Sequence, residues 1–304
     1  MDFNDFNAPT EKITTSWSDS AGIELFIKRE DLIHPLVSGN KFRKLKYNLL
    51  EAKDKGYKQV LSFGGAFSNH IHALSAAGSL MGFKTIGIIR GEKQEILNPT
   101  LKFASENGMQ LEWISRELYR DKHLPEFLAT IKEKFPRTYI IPEGGTNELA
   151  IKGCEEILQD ISFNPDFICT AVGTGGSIAV FINSSLSNQK VLGFSALKGE
   201  WIKDEVKKLV SNAYSNWEVF TDYHFGGYAK MTSELIQFID EFHSETNIRL
   251  EPIYTGKMFY GIKKMCESNL FIPNSRILTL HTGGLQGLGG LHNKIVKLRQ
   301  HIVL

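Results

Sequence analysis

At 304 residues the chain is long enough to bury a substantial core, and two compact lobes suit that length better than one. It is 42% hydrophobic and 23% charged with a net charge of +1, the balance of an ordinary globular protein, and it gives no basis for a nucleic-acid or anionic-membrane partner. No apolar run approaches the roughly 20 residues of a membrane span. The opening Met1–Asp5 is acidic and polar, so no secretory leader is expected there. Cys154, Cys169 and Cys266 are far apart, which suggests small buried hydrophobes in a reducing cytoplasm.

A short strand is expected over Ile23–Ile27, and Pro35 and Gly39 then interrupt the chain. A helix follows from Lys41 to Lys55, with Phe42, Leu45, Leu49 and Ala52 on one face. Strands at 58–63, 84–89, 110–114 and 138–141 then alternate with helices through Met81, at 99–107 and at 124–135. After Pro142–Asn147 and a helix to Asp160, a second alternating series begins. Its strands are expected at 166–172, 191–196, 217–220 and 276–281, and its helices at 178–186, 201–210, 229–243 and 256–267. Such alternation predicts an α/β protein of two lobes, each a mostly parallel sheet flanked by helices, with the cleft between lobes as the default ligand site.

Four segments could carry chemistry. Ser38–Lys44 ends an irregular stretch and opens a helix, where backbone N–H groups and the positive dipole end are exposed. Lys41, beside Arg43, Lys44 and Lys46, is placed where its ammonium is disfavoured, and a neutral amine can attack an aldehyde; a solvated lysine at a helix start is the plainer alternative. Gly64–His70 turns from strand to helix, so that Ser68 or Asn69 caps the helix or, alternatively, the N–H groups of 68–70 bind a carboxylate. The His70-x-His72 pair has no third ligand at a recognisable spacing, and no metal is expected. Gly173-Thr174-Gly175-Gly176-Ser177 joins an apolar strand to a helix start, a cradle suited to a phosphate monoester if it is more than a tight turn. Glu251–Lys257 presents Tyr254 at a helix entry, as an acid or as a packed aromatic. Gly-rich His281–Gly290 is not expected to be a dinucleotide motif, since only fourteen residues of this sequence follow it; Thr282 could offer a hydroxyl to a bound ring.

Taken in order, Gly-Asn-Lys-x-Arg-Lys-Leu, Ser-Asn-His, the glycine loop, Pro-x-Tyr-Thr-Gly-Lys and His-Thr-Gly-Gly resemble the pyridoxal-phosphate enzymes of the tryptophan-synthase-β fold (fold type II). Within them the chain is similar to the group of 1-aminocyclopropane-1-carboxylate deaminase and D-cysteine desulfhydrase. The resemblance implies pyridoxal 5'-phosphate as cofactor, with Lys41 as the Schiff-base lysine and Ser68 touching substrate and relaying a proton. It implies Asn69 beside the cofactor ring, Gly173 to Ser177 around the phosphate, and Tyr254 and Tyr228 as active-site tyrosines. Ser68, Asn69, His70 and Thr255 would face the substrate, and Thr282 the cofactor. It further implies a homodimer acting on a small amino acid, with a small domain at 44–144 and a cofactor-binding domain of 1–43 plus 145–304. The deaminase pattern has Glu and Leu where this chain has Thr255 and Thr282, whereas the desulfhydrase pattern has Thr at both. That favours β-elimination from D-cysteine, with 1-aminocyclopropane-1-carboxylate deamination or cofactor binding without turnover as alternatives. Phe67, His72 and Leu285-Gln286 depart from the family pattern near the substrate side.

Overall fold

The structure is a computed structural model that describes residues 2–211 and 214–300. In chain order it forms β1 (Thr10–Ile13), α1 (Ser16–Ser20), β2 (Glu24–Lys28), α2 (Asn40–Asp54), β3 (Gln59–Gly64), α3 (Asn69–Met81) and β4 (Lys84–Arg90). Next come α4 (Pro99–Glu106), β5 (Gln110–Ile114), α5 (Pro125–Lys134), β6 (Thr138–Ile140), α6 (Glu148–Gln159), β7 (Phe167–Val172) and α7 (Gly176–Ser184). The chain closes through β8 (Lys190–Ser195), α8 (Trp201–Leu209), β9 (Trp217–Phe220), α9 (Ser233–Thr246), α10 (Thr255–Glu267), β10 (Arg276–Leu280) and α11 (Leu288–Gln300).

Contacts divide the described residues into two compact units, one within Met1–Asn7 and His34–Gly153, the other within Ala8–Ile33 and Cys154–Leu304. The sequence boundaries expected at 43/44 and 144/145 differ from this division. In the structure α2 stays whole with the strands that follow it, because its buried face of Phe42, Leu45, Leu49 and Ala52 is one continuous helical stripe.

The first unit holds a four-stranded sheet, β5-β4-β3-β6, parallel throughout. Leu61, Phe63, Ile86 and Ile88 of its central strands pack with Phe127 and Ile131 of α5 and with Tyr119. The second unit holds a six-stranded sheet, β1-β2-β10-β7-β8-β9, in which only the β1–β2 pair is antiparallel. Strand side chains alternate between faces. Ile277 therefore joins one apolar cluster with Phe259 of α10 and Phe242 of α9, while its neighbour Leu278 joins another with Phe181 of α7 and Val206 of α8. A parallel sheet covered on both faces follows, with loops of interest at the C-terminal ends of the strands.

The structure adds three elements to the expected set: β1, α1 and α11. The α11 helix begins in a glycine-rich stretch, yet Leu291, Ile295 and Leu298 recur at helical spacing and pack on the second unit's core. The helix expected from Ala229 starts at Ser233, where Thr232 caps it by accepting a hydrogen bond from the Leu235 N–H at 3.3 Å.

Candidate active site

In the first unit the candidate residues lie at the C-terminal ends of β3 and β6, which are neighbours in the sheet. Gly39, at φ 70°, turns the chain into α2 and places Lys41 in its first turn. Lys41, Lys44 and Asn48 then share a helical face spaced by three and four residues, and that face runs along the segment after β6. Lys41 Nζ donates to the Gly144 carbonyl at 3.4 Å and Lys44 Nζ to Thr146 Oγ1 at 3.4 Å, while Asn48 and Asn147 exchange side-chain amide hydrogen bonds at 3.1 and 2.7 Å. Behind Lys41 the packing is tight: a Cβ on Gly153 of α6 would lie 2.0 Å from the Arg43 carbonyl oxygen.

Beside this, β3 ends in Gly64 and the chain turns into α3. A Cβ on Gly64 would lie 2.6 Å from Ser68 Oγ, so the turn closes around a bare backbone. Ser68 is the N-cap of α3, its hydroxyl accepting from the Ile71 N–H at 3.3 Å, and a capping Oγ retains its own hydrogen for donation. Asn69 is partly exposed in the first turn, and Phe67 is exposed before it. Asn98 supports the turn from α4, donating to the Ala66 carbonyl at 3.0 Å.

The His70 ring is 2% exposed, packed beneath the turn and against Gly145, while its backbone N–H stays in the first turn of α3. Ser62 Oγ donates to the Pro142 carbonyl at 3.2 Å, which leaves its oxygen to accept from His70 Nε2 at 2.8 Å. His70 Nδ1 is then a bare acceptor, and it has no hydrogen-bond partner. Burial and the nearby Lys41 and Lys44 charges hold the ring well below its ordinary pKa, so it stays neutral. His72 stacks on Phe103 at 3.9 Å between ring centroids and belongs to the helix packing. Among the described residues no His, Cys, Asp or Glu cluster could hold a metal.

In the second unit the candidate residues lie at the C-terminal ends of β10, β7 and β8, adjacent parallel strands. After β7, Gly173–Gly175 form the turn and α7 opens at Gly176, with Gly175 at φ 85°. The first turn of α7 leaves N–H groups without helical acceptors and turns its positive dipole end towards the loop, the chemistry a phosphate needs. Tyr254 lies over this loop: a Cβ on Gly173 would be 3.2 Å from its Cε1 and 3.5 Å from its hydroxyl. The Tyr228 ring meets Tyr254 edge to face at 6.2 Å. Burial first, and then Tyr228 and Glu251, push the Tyr254 phenol well above its usual pKa, so it stays protonated at neutral pH and keeps an O–H for hydrogen bonding. Thr282 comes two residues after the end of β10 and is partly exposed.

Thr255, expected to face substrate, is completely buried. Its Oγ1 lies 3.1 Å from Glu251 Oε1 and 3.1 Å from the Glu251 N–H, so the hydroxyl serves the start of α10 instead. Glu251 was not singled out by sequence, and only its burial reveals its role. Its carboxylate accepts from the N–H groups of Ile253, Tyr254 and Thr255 at 2.7, 2.9 and 2.6 Å, fixing the turn that aims Tyr254. Desolvation raises its pKa against the pull of those hydrogen bonds.

Each unit by itself offers groups that fit pyridoxal phosphate: the second a glycine cradle at a helix start with Tyr254 close over it, the first a lysine amine in the first turn of a helix. The comparisons agree. The family model of pyridoxal-phosphate dependent enzymes matches residues 5–283. A bifunctional D-cysteine desulfhydrase/1-aminocyclopropane-1-carboxylate deaminase of Arabidopsis thaliana mitochondria is 32% identical, over 88% of this chain and 74% of that protein. A Thermotoga maritima protein provisionally named 1-aminocyclopropane-1-carboxylate deaminase is also 32% identical, over 92% of this chain and 94% of its own. The solved structure of a homologue of that deaminase superposes with a TM-score of 0.82 at 28% identity, covering 96% of this chain and 94% of the other. With its match running over most of its length, this chain belongs to the pyridoxal-phosphate dependent enzymes, among relatives of the deaminase and desulfhydrase group.

Proposed function

We propose that the chain catalyses β-elimination from a small D-amino acid, D-cysteine foremost, giving pyruvate, sulfide and ammonia. The observation that carries this reading is that neither Thr255 nor Thr282 is a carboxylate, whereas the deaminase pattern has Glu at the first of these positions and Leu at the second. Thr255 spends its hydroxyl on Glu251, and Glu251 is itself saturated by three backbone N–H groups, so the start of α10 directs no unpaired carboxylate outward.

When bound, the cofactor supplies an electron sink. A carboxylate at its ring nitrogen would keep that nitrogen protonated and deepen the sink, as opening a cyclopropane requires. Neutral hydroxyls suffice for a substrate whose β-carbon carries a thiolate leaving group. In this reading Lys41 would hold the cofactor through its amine, and the same amine would serve as the base for the substrate Cα proton. Gly173–Ser177 hold the phosphate, Asn69 borders the ring, and the first-turn N–H groups of α3 take the substrate carboxylate. Ser68 and the Tyr254–Tyr228 pair supply protons. The Cα–H and Cβ–S bonds break, sulfur departs as sulfide, and the released enamine takes up water to give pyruvate and ammonia.

The relatives' names favour 1-aminocyclopropane-1-carboxylate as a second substrate. The deciding assay offers both compounds to the cofactor-loaded protein. Pyruvate and sulfide from D-cysteine, absent in Lys41→Ala, is the expected outcome. Formation of 2-oxobutyrate alone transfers the chain to the deaminase reading, and no product from any β-substituted D-amino acid overturns the proposal.

A further inference from the structure

The segment that carries Tyr228 is held in a costly conformation. Phe225, Gly226, Gly227 and Ala229 have φ of 53°, 94°, 111° and 54°, so left-handed residues flank the tyrosine on both sides. Phe and Ala do not adopt this region without strain, and such a turn persists only where its surroundings dictate it. Backbone bonds from the Gly227 N–H to the His224 carbonyl at 3.0 Å and from the Lys230 N–H to the Gly227 carbonyl at 3.1 Å close the turn, and three bonds involving side chains hold it in place. The Gly226 N–H donates to His224 Nδ1 at 2.8 Å, Lys294 Nζ reaches the Ala229 carbonyl at 3.0 Å from an exposed position, and Lys257 Nζ donates to the Gly227 carbonyl at 2.8 Å.

Lys257 stands apart from the other two anchors. It is completely buried, in the first turn of α10, three residues after Tyr254. Its Nζ is also 3.5 Å from the carbonyl of Ala196, whose own N–H bonds to the Val172 carbonyl at 2.9 Å, immediately before the glycine loop. One amine therefore joins the Tyr228 segment, the end of β8 and the helix that aims Tyr254.

We propose that Lys257 is a positioning residue, whose buried amine fixes the 225–229 turn and thereby sets Tyr228 against Tyr254 over the phosphate loop. This rests on reading those two tyrosines as site residues. An ammonium at such a depth weakens the fold, since nothing in the protein solvates it as water does. Burial and the charge of Lys294 pull its pKa down to about 8, and Glu251 opposes them. A residue retained for stability alone would be replaced with profit by an apolar side chain of the same length. A positioning residue would not.

Lys257→Met tests the difference, with hydrogen exchange read on the cofactor-loaded protein without substrate. A hydrogen bond from a charged donor is worth about a tenfold shift or more in an opening equilibrium. Amides of residues 225–229 are therefore expected to exchange about tenfold faster, while the melting temperature holds or rises. Lys257→Gln, which keeps a neutral donor, is expected to fall between. Unchanged exchange at 225–229 in the Met variant overturns the proposal. So does a lower melting temperature in both variants with exchange rising equally across β8 and α10. Because no substrate enters the measurement, a failed D-cysteine assay leaves this result standing by itself.

Discussion

Single residues set the protonation states that this site depends on. Tyr254 is kept protonated by burial, and His70 is kept neutral by burial and by two lysines. His72 is the more accessible test of the same physics, because burial lowers its pKa from 6.5 to about 4 without involving the reaction. The sign is fixed by linkage. The unfolded chain binds a proton below pH 6.5 and the folded ring does not, so the stability that His72 contributes is complete above that pH and is lost as the pH falls towards 4. Urea titrations should show a loss on the order of 2 kcal/mol across that window beyond what carboxylates explain. His72→Phe, which preserves stacking on Phe103, should flatten this part of the profile. A curve unchanged by the substitution would remove His72 as its source.

The helix starts are the elements through which the site is built, and they differ in how readable they were. α2, α3 and α7 begin where Gly39, Ser68 and Gly175 punctuate the sequence, so these starts were legible in advance. α10 could not be read in the same way. Glu251, Thr255 and Lys257 look like ordinary polar residues, and only their burial shows that all three serve the geometry around Tyr254. The depth of the His70 ring is legible only in the structure, because periodicity puts it on α3 but the depth of that face depends on strands far away in sequence. β1 and α1 were missed because both are very short, and α11 because glycines open it. At this scale the fit of α6 on α2 makes a direct prediction. Gly153→Ala should cost about 1–3 kcal/mol by overpacking, as its Cβ meets the Arg43 carbonyl, and it should displace Lys41. Calorimetry together with cofactor affinity would detect both effects. A variant of wild-type melting temperature and affinity would mean that the helices can separate freely.

At the scale of the whole molecule, strand–helix alternation specified two parallel sheets in advance, because only crossovers through helices can join parallel neighbours. The ordered motifs from Lys41 to Thr282 anticipated the family, since each falls at the C-terminal end of a strand or the start of a helix. Unit boundaries were less legible, as α2 carries reactive and packing residues on the same few turns. The claim on which everything else depends is that Lys41 is the cofactor lysine. Its most direct test is reduction of the pyridoxal-phosphate-loaded protein with borohydride, followed by peptide mass mapping. The account predicts visible absorbance that disappears on reduction and a single pyridoxyl adduct on Lys41. An adduct on Lys44, Lys46 or Lys257, or no adduct in protein supplied with cofactor, would contradict it.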